Sequence, residues 1–383
     1  MFEFNTPQKI IFGWESVRHS LAKEVKTFGK NCFLITGRNS MKKSGILSEI
    51  KKNLEENKIS VSIFSEVESD PSIQTVDAAT KIAKKENCDC IIGLGGGSSL
   101  DVAKAVSVMV KNNGSVREYL EKKEIEIAGL PFIAIPTTAG TGTEVTKNSV
   151  ITNKEKNIKI SLRSFYMIPS VAILDASLTV SLPADITAST GMDALTHAIE
   201  AYLSKSANQI TDILAEKAIS LIAKNLRIAV KSPDDKNARE NMLLASLTAG
   251  MAFANAGLGA VHALAHPLGA RFHIPHGVVN ALLLPYVMEF NMSERIDKFI
   301  KIAELFDESD IEVLSEKEKA QKAVVSIHKL VQDINLPQNL NKFNVAKEDI
   351  PAIVEDTKFS GSLKYNPKIL SQSDLSAILQ SAL

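Results

Sequence analysis

The amino-acid sequence predicts an α/β domain with a mostly parallel sheet, followed by an all-helical domain. Three features carry this expectation. Short apolar or β-branched runs alternate with helically spaced stretches as far as about residue 181. Beyond residue 184 the apolar spacing is mainly helical, with no convincing run of strands. Within the alternating part, a strand leads through a cluster of glycines into a helix, the pattern of a βα unit whose turn approaches a ligand.

The candidate strands are residues 9–12, 32–36, 60–64, 88–94, 131–135 and 170–174. Helical spacing fills residues 42–57, 73–86 and 98–111 between several of them. Such alternation implies crossover connections, hence parallel strands covered on both faces, with ligands at the carboxyl ends of the strands. In the second half, helices are expected over residues 191–203, 211–230 and 241–253. Pro183 and its neighbouring turn residues mark a boundary, giving domains 1–182 and 183–383 and a small-molecule site expected in the cleft between them.

Composition narrows the class. Among 383 residues, 44 Lys and Arg balance 44 Asp and Glu. A net charge of zero argues against a protein that grips nucleic acid or an anionic membrane. Cys32, Cys88 and Cys90 are too few for a disulfide framework and read as structural thiols. The N-terminus, MFEFNTPQKIIFG, lacks a basic region followed by an apolar one, so no signal peptide is expected and a cytoplasmic setting is the default. Residues 241–288 carry one formal charge, Arg271, where the chain average of 23 % would give about eleven. Glycines, His262, His266 and Pro267 interrupt that stretch. It reads as buried helices around a site rather than a membrane span.

Two loops have the chemistry of a nucleotide site. In CDCIIGLGGGSSLDVAKAV, Gly93, Gly95, Gly96 and Gly97 permit close backbone approach, and Ser98 opens a helix whose N–H groups and dipole favour phosphate. The spacing fits neither G-x-G-x-x-G nor a Walker A loop. In IPTTAGTGTEVTKNSVIT, the hydroxyls of Thr137, Thr138, Thr141 and Thr143 suit a ribose, a pyrophosphate or a nicotinamide amide.

Five of the seven histidines lie within 80 residues: His197, His262, His266, His273 and His276. Asp193 and His197 share a helical face at i, i+4, as do His262 and His266. Unpaired imidazoles buried in the least charged part of the chain would be costly, and a divalent ion would satisfy them together. Nitrogen and oxygen donors without thiolate fit Fe(II), Zn(II), Ni(II) or Mn(II).

GGGSSLDVAKAV, PTTAGTGTEVT, GMDALTHAIEAYLS and AVHALAHPLGARFHIPHGVVNALLLP together resemble the iron-containing (group III) alcohol dehydrogenase family, in the right order across essentially the whole chain. The resemblance implies a Rossmann-like N-terminal domain and an all-α C-terminal domain, the two-domain fold of dehydroquinate synthase. It implies Asp193, His197, His262 and His276 as metal ligands, and His266 beside the substrate and nicotinamide. It implies Gly96, Gly97, Ser98 and Asp101 at the pyrophosphate and Thr137, Thr138, Thr141 and Thr143 in the second cofactor loop. Asn148, Lys159, Thr179, Leu182 and Asp70 complete the implied cofactor set. A homo-oligomer, a dimer, is the implied assembly.

One departure bears on the cofactor. Many members carry an Asp just after the strand at residues 32–36, to bind the adenosine ribose. Here Gly37, Arg38, Asn39 and Ser40 stand there, with Lys42 and Lys43 beyond. An acid would repel a 2′-phosphate and these residues would accept one, so NADP(H) is expected over NAD(H).

The expected reaction is reversible hydride transfer between NAD(P)(H) and a small alcohol or aldehyde, with the ion as Lewis acid at the substrate oxygen. Four protein ligands leave room for substrate only above four-coordination, which favours Fe(II). His266 is the expected proton relay, since an unperturbed imidazole titrates at about 6.5. The nearest alternative is a glycerol dehydrogenase-like polyol oxidoreductase, which uses fewer metal ligands. A lyase like dehydroquinate synthase would need Lys and Arg for its polyanionic substrate, and residues 241–288 lack them.

Overall fold

The structure is a computed structural model that describes residues 1–156, 158–308 and 313–383. Its contacts divide the chain into two units, Thr6–Ser181 and Met1–Asn5 with Leu182–Leu383. The first five residues thus join the helical unit. Asn5 is held there by Asn255, which accepts from the Asn5 N–H at 2.7 Å and donates to the Asn5 carbonyl at 3.0 Å.

The α/β unit runs β1 (Lys9–Phe12), α1 (Ser16–Phe28), β2 (Asn31–Gly37), α2 (Ser40–Lys43), α3 (Ile46–Glu56), β3 (Ser60–Val67), α4 (Ile73–Lys85) and β4 (Cys90–Gly95). It continues with α5 (Gly97–Met109), α6 (Val116–Glu121), β5 (Phe132–Pro136), β6 (Asn148–Asn153), β7 (Ile158–Arg163) and β8 (Val171–Leu174). Six strands pair in the order β1-β8-β5-β4-β2-β3, all parallel. Successive side chains of a strand point to opposite faces, and both faces are buried. Phe33, Ile35, Ile91 and Phe132 pack with α4 and α5, while Leu34, Ile92, Leu94 and Ile133 pack with α1 and α3. That is why these strands read as continuous apolar runs rather than alternating ones. Asp175, just past β8, closes the sheet end: its carboxylate accepts from the N–H groups of Glu15 and Val17 at the start of α1. All three cysteines are buried free thiols.

Two expectations are corrected. The helix expected over residues 42–57 breaks at Gly45, whose φ of 82° other residues rarely adopt, leaving α2 and α3. The antiparallel hairpin β6–β7 is an element the sequence reading did not place; Asn148 pairs with Arg163 and Asn153 with Ile158.

The helical unit runs α7 (Ala184–Leu203), α8 (Gln209–Lys231), α9 (Lys236–Ala256), α10 (Ala260–Phe272), α11 (His276–Asn291), α12 (Ile296–Leu305), α13 (Glu316–Asp333), α14 (Ile350–Thr357) and α15 (Gln372–Ser381). No strand follows β8 among the described residues. The weakly charged stretch forms α9, α10 and α11. Most of its residues are buried, and no single helix among the described residues is long and apolar enough to cross a membrane.

Candidate metal centre and nucleotide loops

Helix α7 is buried along most of its length, and carries Asp193, His197 and Glu200 at i, i+4 and i+7, one face of a helix. Helix α10 brings His262, and α11 opens with His276. The close approach of α11 depends on Gly277, where a Cβ would lie 2.2 Å from the Ser189 carbonyl oxygen of α7. Three separate helices therefore deliver their donors to one point. Asp193 Oδ1 stands 3.8 Å from His197 Nε2, 3.8 Å from His262 Nε2 and 3.7 Å from His276 Nε2. Donor atoms of Asp193, His262 and His276 all lie within 4.8 Å of one another. His197 is stacked between Phe253, at 4.3 Å, and His262, at 4.6 Å, so both rings present an edge in the same direction.

Sequence reasoning missed two residues here. Glu200 accepts from His262 Nδ1 at 2.6 Å and from the Val261 N–H at 2.7 Å. A carboxylate only accepts, so it fixes the proton on Nδ1 and turns the Nε2 lone pair towards Asp193. Asn280, fully buried, directs its Nδ2 at Asp193 Oδ1 (2.7 Å), His262 Nε2 (3.2 Å) and His276 Nε2 (3.2 Å), while its own Oδ1 has no partner. Both were open to pattern reading, Glu200 on the face of Asp193 and His197, Asn280 one turn beyond His276.

The electrostatics favour a cation at this point. Burial alone would raise the Asp193 carboxyl, but His197, His262 and His276 outweigh it and hold the group well below the usual carboxylate range. Burial alone would lower His262, yet Glu200 and Asp193 push it up to about 9. A proton or an ion can each meet this demand for positive charge. Convergent oxygen and nitrogen donors, a carboxylate among them, and an orphaned buried amide oxygen fit a divalent ion.

His266 lies one turn beyond His262 and is exposed, its ring 5.8 Å from that of His276. His276 itself is 38 % exposed, against 3 % for His262, so solvent reaches the donor set from the side of α11. His273 caps α10 in the left-handed region, φ 55°, and is not among the grouped donors.

In the α/β unit, β4 ends in the glycine cluster and α5 begins at Gly97 with no side-chain cap on its N-terminus. Its first N–H groups lack intrahelical acceptors, which suits an anion. The threonine loop packs directly on the cluster. A Cβ on Gly97 would meet Thr141 Cγ2 at 2.9 Å, and the Thr137 N–H donates to the Gly95 carbonyl at 3.0 Å. Gly96 faces Thr138. Asp70, in a left-handed turn with φ 54°, and Lys159, on β7, form an ion pair at 2.6 Å, joining two candidates 89 residues apart. Gly37 ends β2, Asn39 precedes α2 and Ser40 begins it. Arg38 is turned away to β3, donating to the Glu66 carbonyl at 3.2 Å.

Three implied contacts are otherwise engaged. The Thr179 hydroxyl is buried and donates to the Ala176 carbonyl. The Thr143 hydroxyl donates to Asp101 Oδ1 at 2.8 Å, and Asp101 Oδ2 accepts from the Val150 N–H at 3.0 Å. Both Asp101 oxygens are thus engaged within the protein. Leu182 lies in the turn before α7, partly exposed.

Residues 7–176 match the family model described as iron-containing alcohol dehydrogenase, and residues 187–383 match the C-terminal model of the Fe-containing alcohol dehydrogenase family. The chain is 40 % identical over 383 residues to 1,3-propanediol dehydrogenase of Klebsiella pneumoniae, covering 100 % of this chain and 99 % of that one. It is 35 % identical to an NAD-dependent methanol dehydrogenase of Bacillus methanolicus, covering 100 % of both. A crystal structure of a 1,3-propanediol oxidoreductase superposes with a TM-score of 0.97 at 40 % identity, over 100 % of both chains.

Proposed function

The chain belongs to the iron-containing alcohol dehydrogenase family, and from that premise we propose that Asp193, His197, His262 and His276 hold its divalent ion, with Fe(II) preferred and Zn, Ni or Mn admissible. The enzyme is an NAD(P)-dependent oxidoreductase acting on CH–OH groups of small alcohols, and on the corresponding aldehydes in reverse. The observation that carries the ligand assignment is the distance set around Asp193 Oδ1, under 4 Å to three imidazole nitrogens. When bound, the ion polarises the substrate oxygen and the nicotinamide accepts or returns the hydride.

The remaining work falls to this chain's side chains. Asp193 supplies the anionic donor. Glu200 holds His262 in the tautomer that offers Nε2. Phe253 shields one face of His197 from water. His266, exposed beside His276, passes the alcohol proton to solvent. Gly96, Gly97 and Ser98 lay backbone against the pyrophosphate. Thr137, Thr138 and Thr141 offer hydroxyls and backbone to the rest of the nucleotide, flanked by Asn148, Lys159 and Asp70. Thr179 and Leu182 contribute through backbone and apolar contact. The assembly is a homodimer, which light scattering would read as twice the chain mass.

NADP(H) is preferred over NAD(H), because Gly37, Asn39 and Ser40 stand where an acid would repel a 2′-phosphate. Arg38, engaged by Glu66, contributes less than its position suggests. Steady-state kinetics with both cofactors and a panel of short alcohols and aldehydes test the reading. A kcat/KM favouring NADP(H) is expected; one favouring NAD(H) overturns the preference. Absence of hydride transfer with every short substrate overturns the substrate class.

A further inference from the structure

Beneath the threonine loop lies a charged residue to which the proposed function gives no task. Lys104, on α5, is fully buried. Its ammonium donates to Thr143 Oγ1 at 2.8 Å, Thr146 Oγ1 at 2.7 Å and the Asn148 carbonyl at 2.8 Å. One turn earlier on the same helix, Asp101 takes the Thr143 hydroxyl and the Val150 N–H, and its own carbonyl accepts from Ser149 Oγ at 2.8 Å. Glu144, 1 % exposed, feels the charge of the same ammonium. Thr143, Thr146, Asn148, Ser149 and Val150 thus all meet α5 through Lys104 or Asp101.

Thr143 is the hinge of this arrangement. A hydroxyl carries one proton and two lone pairs. Its proton goes to Asp101 and one lone pair to Lys104, so it has no donor left for a phosphate or ribose oxygen. We infer that Lys104 and Asp101 are positioning residues that clamp the threonine loop to the helix bearing the glycine cluster, and that Thr143 is a link in this clamp rather than a donor to phosphate. The inference rests on the reading that these two loops bind the nicotinamide nucleotide. In this arrangement α5 sets both halves of the cradle: its N-terminus meets the anion, and its second turn fixes the loop opposite. A buried ammonium suits the task because its acceptors must be supplied by the loop in one geometry, or the charge is left unsatisfied.

The test is a double-mutant cycle on the metal-loaded enzyme, read as the dissociation constant of NADH or NADPH by fluorescence, whichever the wild type binds more tightly. Lys104→Met and Thr143→Val are each expected to weaken nucleotide binding by about tenfold. The double variant should stay near the same loss rather than about a hundredfold, because both remove one shared interaction. Thr143→Ser, which keeps the hydroxyl, should bind like the wild type. The KM for the alcohol and the metal content should not move in any variant. Wild-type affinity in Lys104→Met, or an additive loss in the double variant, overturns the clamp. If Lys104→Met does not fold, Thr146→Val removes one of its three bonds. A loss of about threefold is then expected, and unchanged affinity overturns the inference. A wild-type enzyme that binds neither nucleotide overturns the reading of the loops together with the clamp. A wild type that binds, with uncoupled variants, overturns the clamp alone.

Discussion

The two halves of this enzyme build their sites by opposite means. In the helical unit, side chains are themselves the proposed ligands: Asp193, His197, His262 and His276 point at one another, and Glu200 and Asn280 hold them there. In the α/β unit, the polar side chains mostly face inward. Asp101, Lys104 and Thr143 bond to one another and to loop backbone, leaving peptide groups, glycines and the outer threonines as the proposed nucleotide contacts. Substitutions in the first region should therefore remove a ligand outright, whereas those in the second should change the shape of a cradle.

The largest expected effect is at the centre of the metal pocket. Asp193→Ala removes the one anionic donor of the set, so bound metal and kcat/KM should fall together, the latter by about a thousandfold or more. Metal analysis beside kinetics checks it, and retained metal would make the imidazoles sufficient. His266→Gln should lower turnover by about ten- to a hundredfold while the metal stays bound; loss of the ion would instead make His266 a ligand. Glu200→Gln should weaken metal affinity by about ten- to a hundredfold, with activity restored by excess metal, because an amide no longer fixes the His262 tautomer. Unchanged affinity would show that packing alone orients that ring.

On the nucleotide side the effects should be smaller. In Gly97→Ala the new Cβ meets Thr141, so the nucleotide KM should rise by about tenfold with metal content unaltered. The smallest effect concerns the turn that presents Asp70. Burial would raise Glu68, but hydroxyls of Thr75 and Ser72, with Lys154, hold it down to about 2. With an ordinary value near 4.5, its stabilisation is present above pH 4.5 and is lost as pH falls through about 2. Glu68→Gln should lower Tm by about 2–4 °C at pH 7, a gap that closes on acidification. A gap that persists at pH 2 would deny the carboxylate this role.

What the sequence made legible follows the same division. All six strand runs, the helical second half and the i, i+4 pairs on α7 and α10 are local patterns, and each lies where its spacing put it or within a few residues. Their meeting at Asp193 is a long-range event. No spacing encodes it; the resemblance supplied that part. Residues 42–57 look helical throughout because one glycine barely disturbs an apolar periodicity, yet Gly45 at φ 82° ends one helix and starts another. The hairpin of β6 and β7 carries a period-two pattern too short to stand out beside its charged connection. A sequence shows that Asp101 and Thr143 border a loop, but not that their side chains bond to each other. Lys104, buried and charged, left no local trace of its three acceptors.

The most direct measurement is a titration of Fe(II) into metal-stripped enzyme under anaerobic conditions, following NAD(P)-linked alcohol oxidation beside bound iron per chain. Activity should rise in proportion to bound iron and saturate at one ion per chain, and His276→Ala should neither bind nor respond. Full turnover in the stripped protein, or iron bound to His276→Ala as in the wild type, would contradict the assignment of the ion to Asp193, His197, His262 and His276.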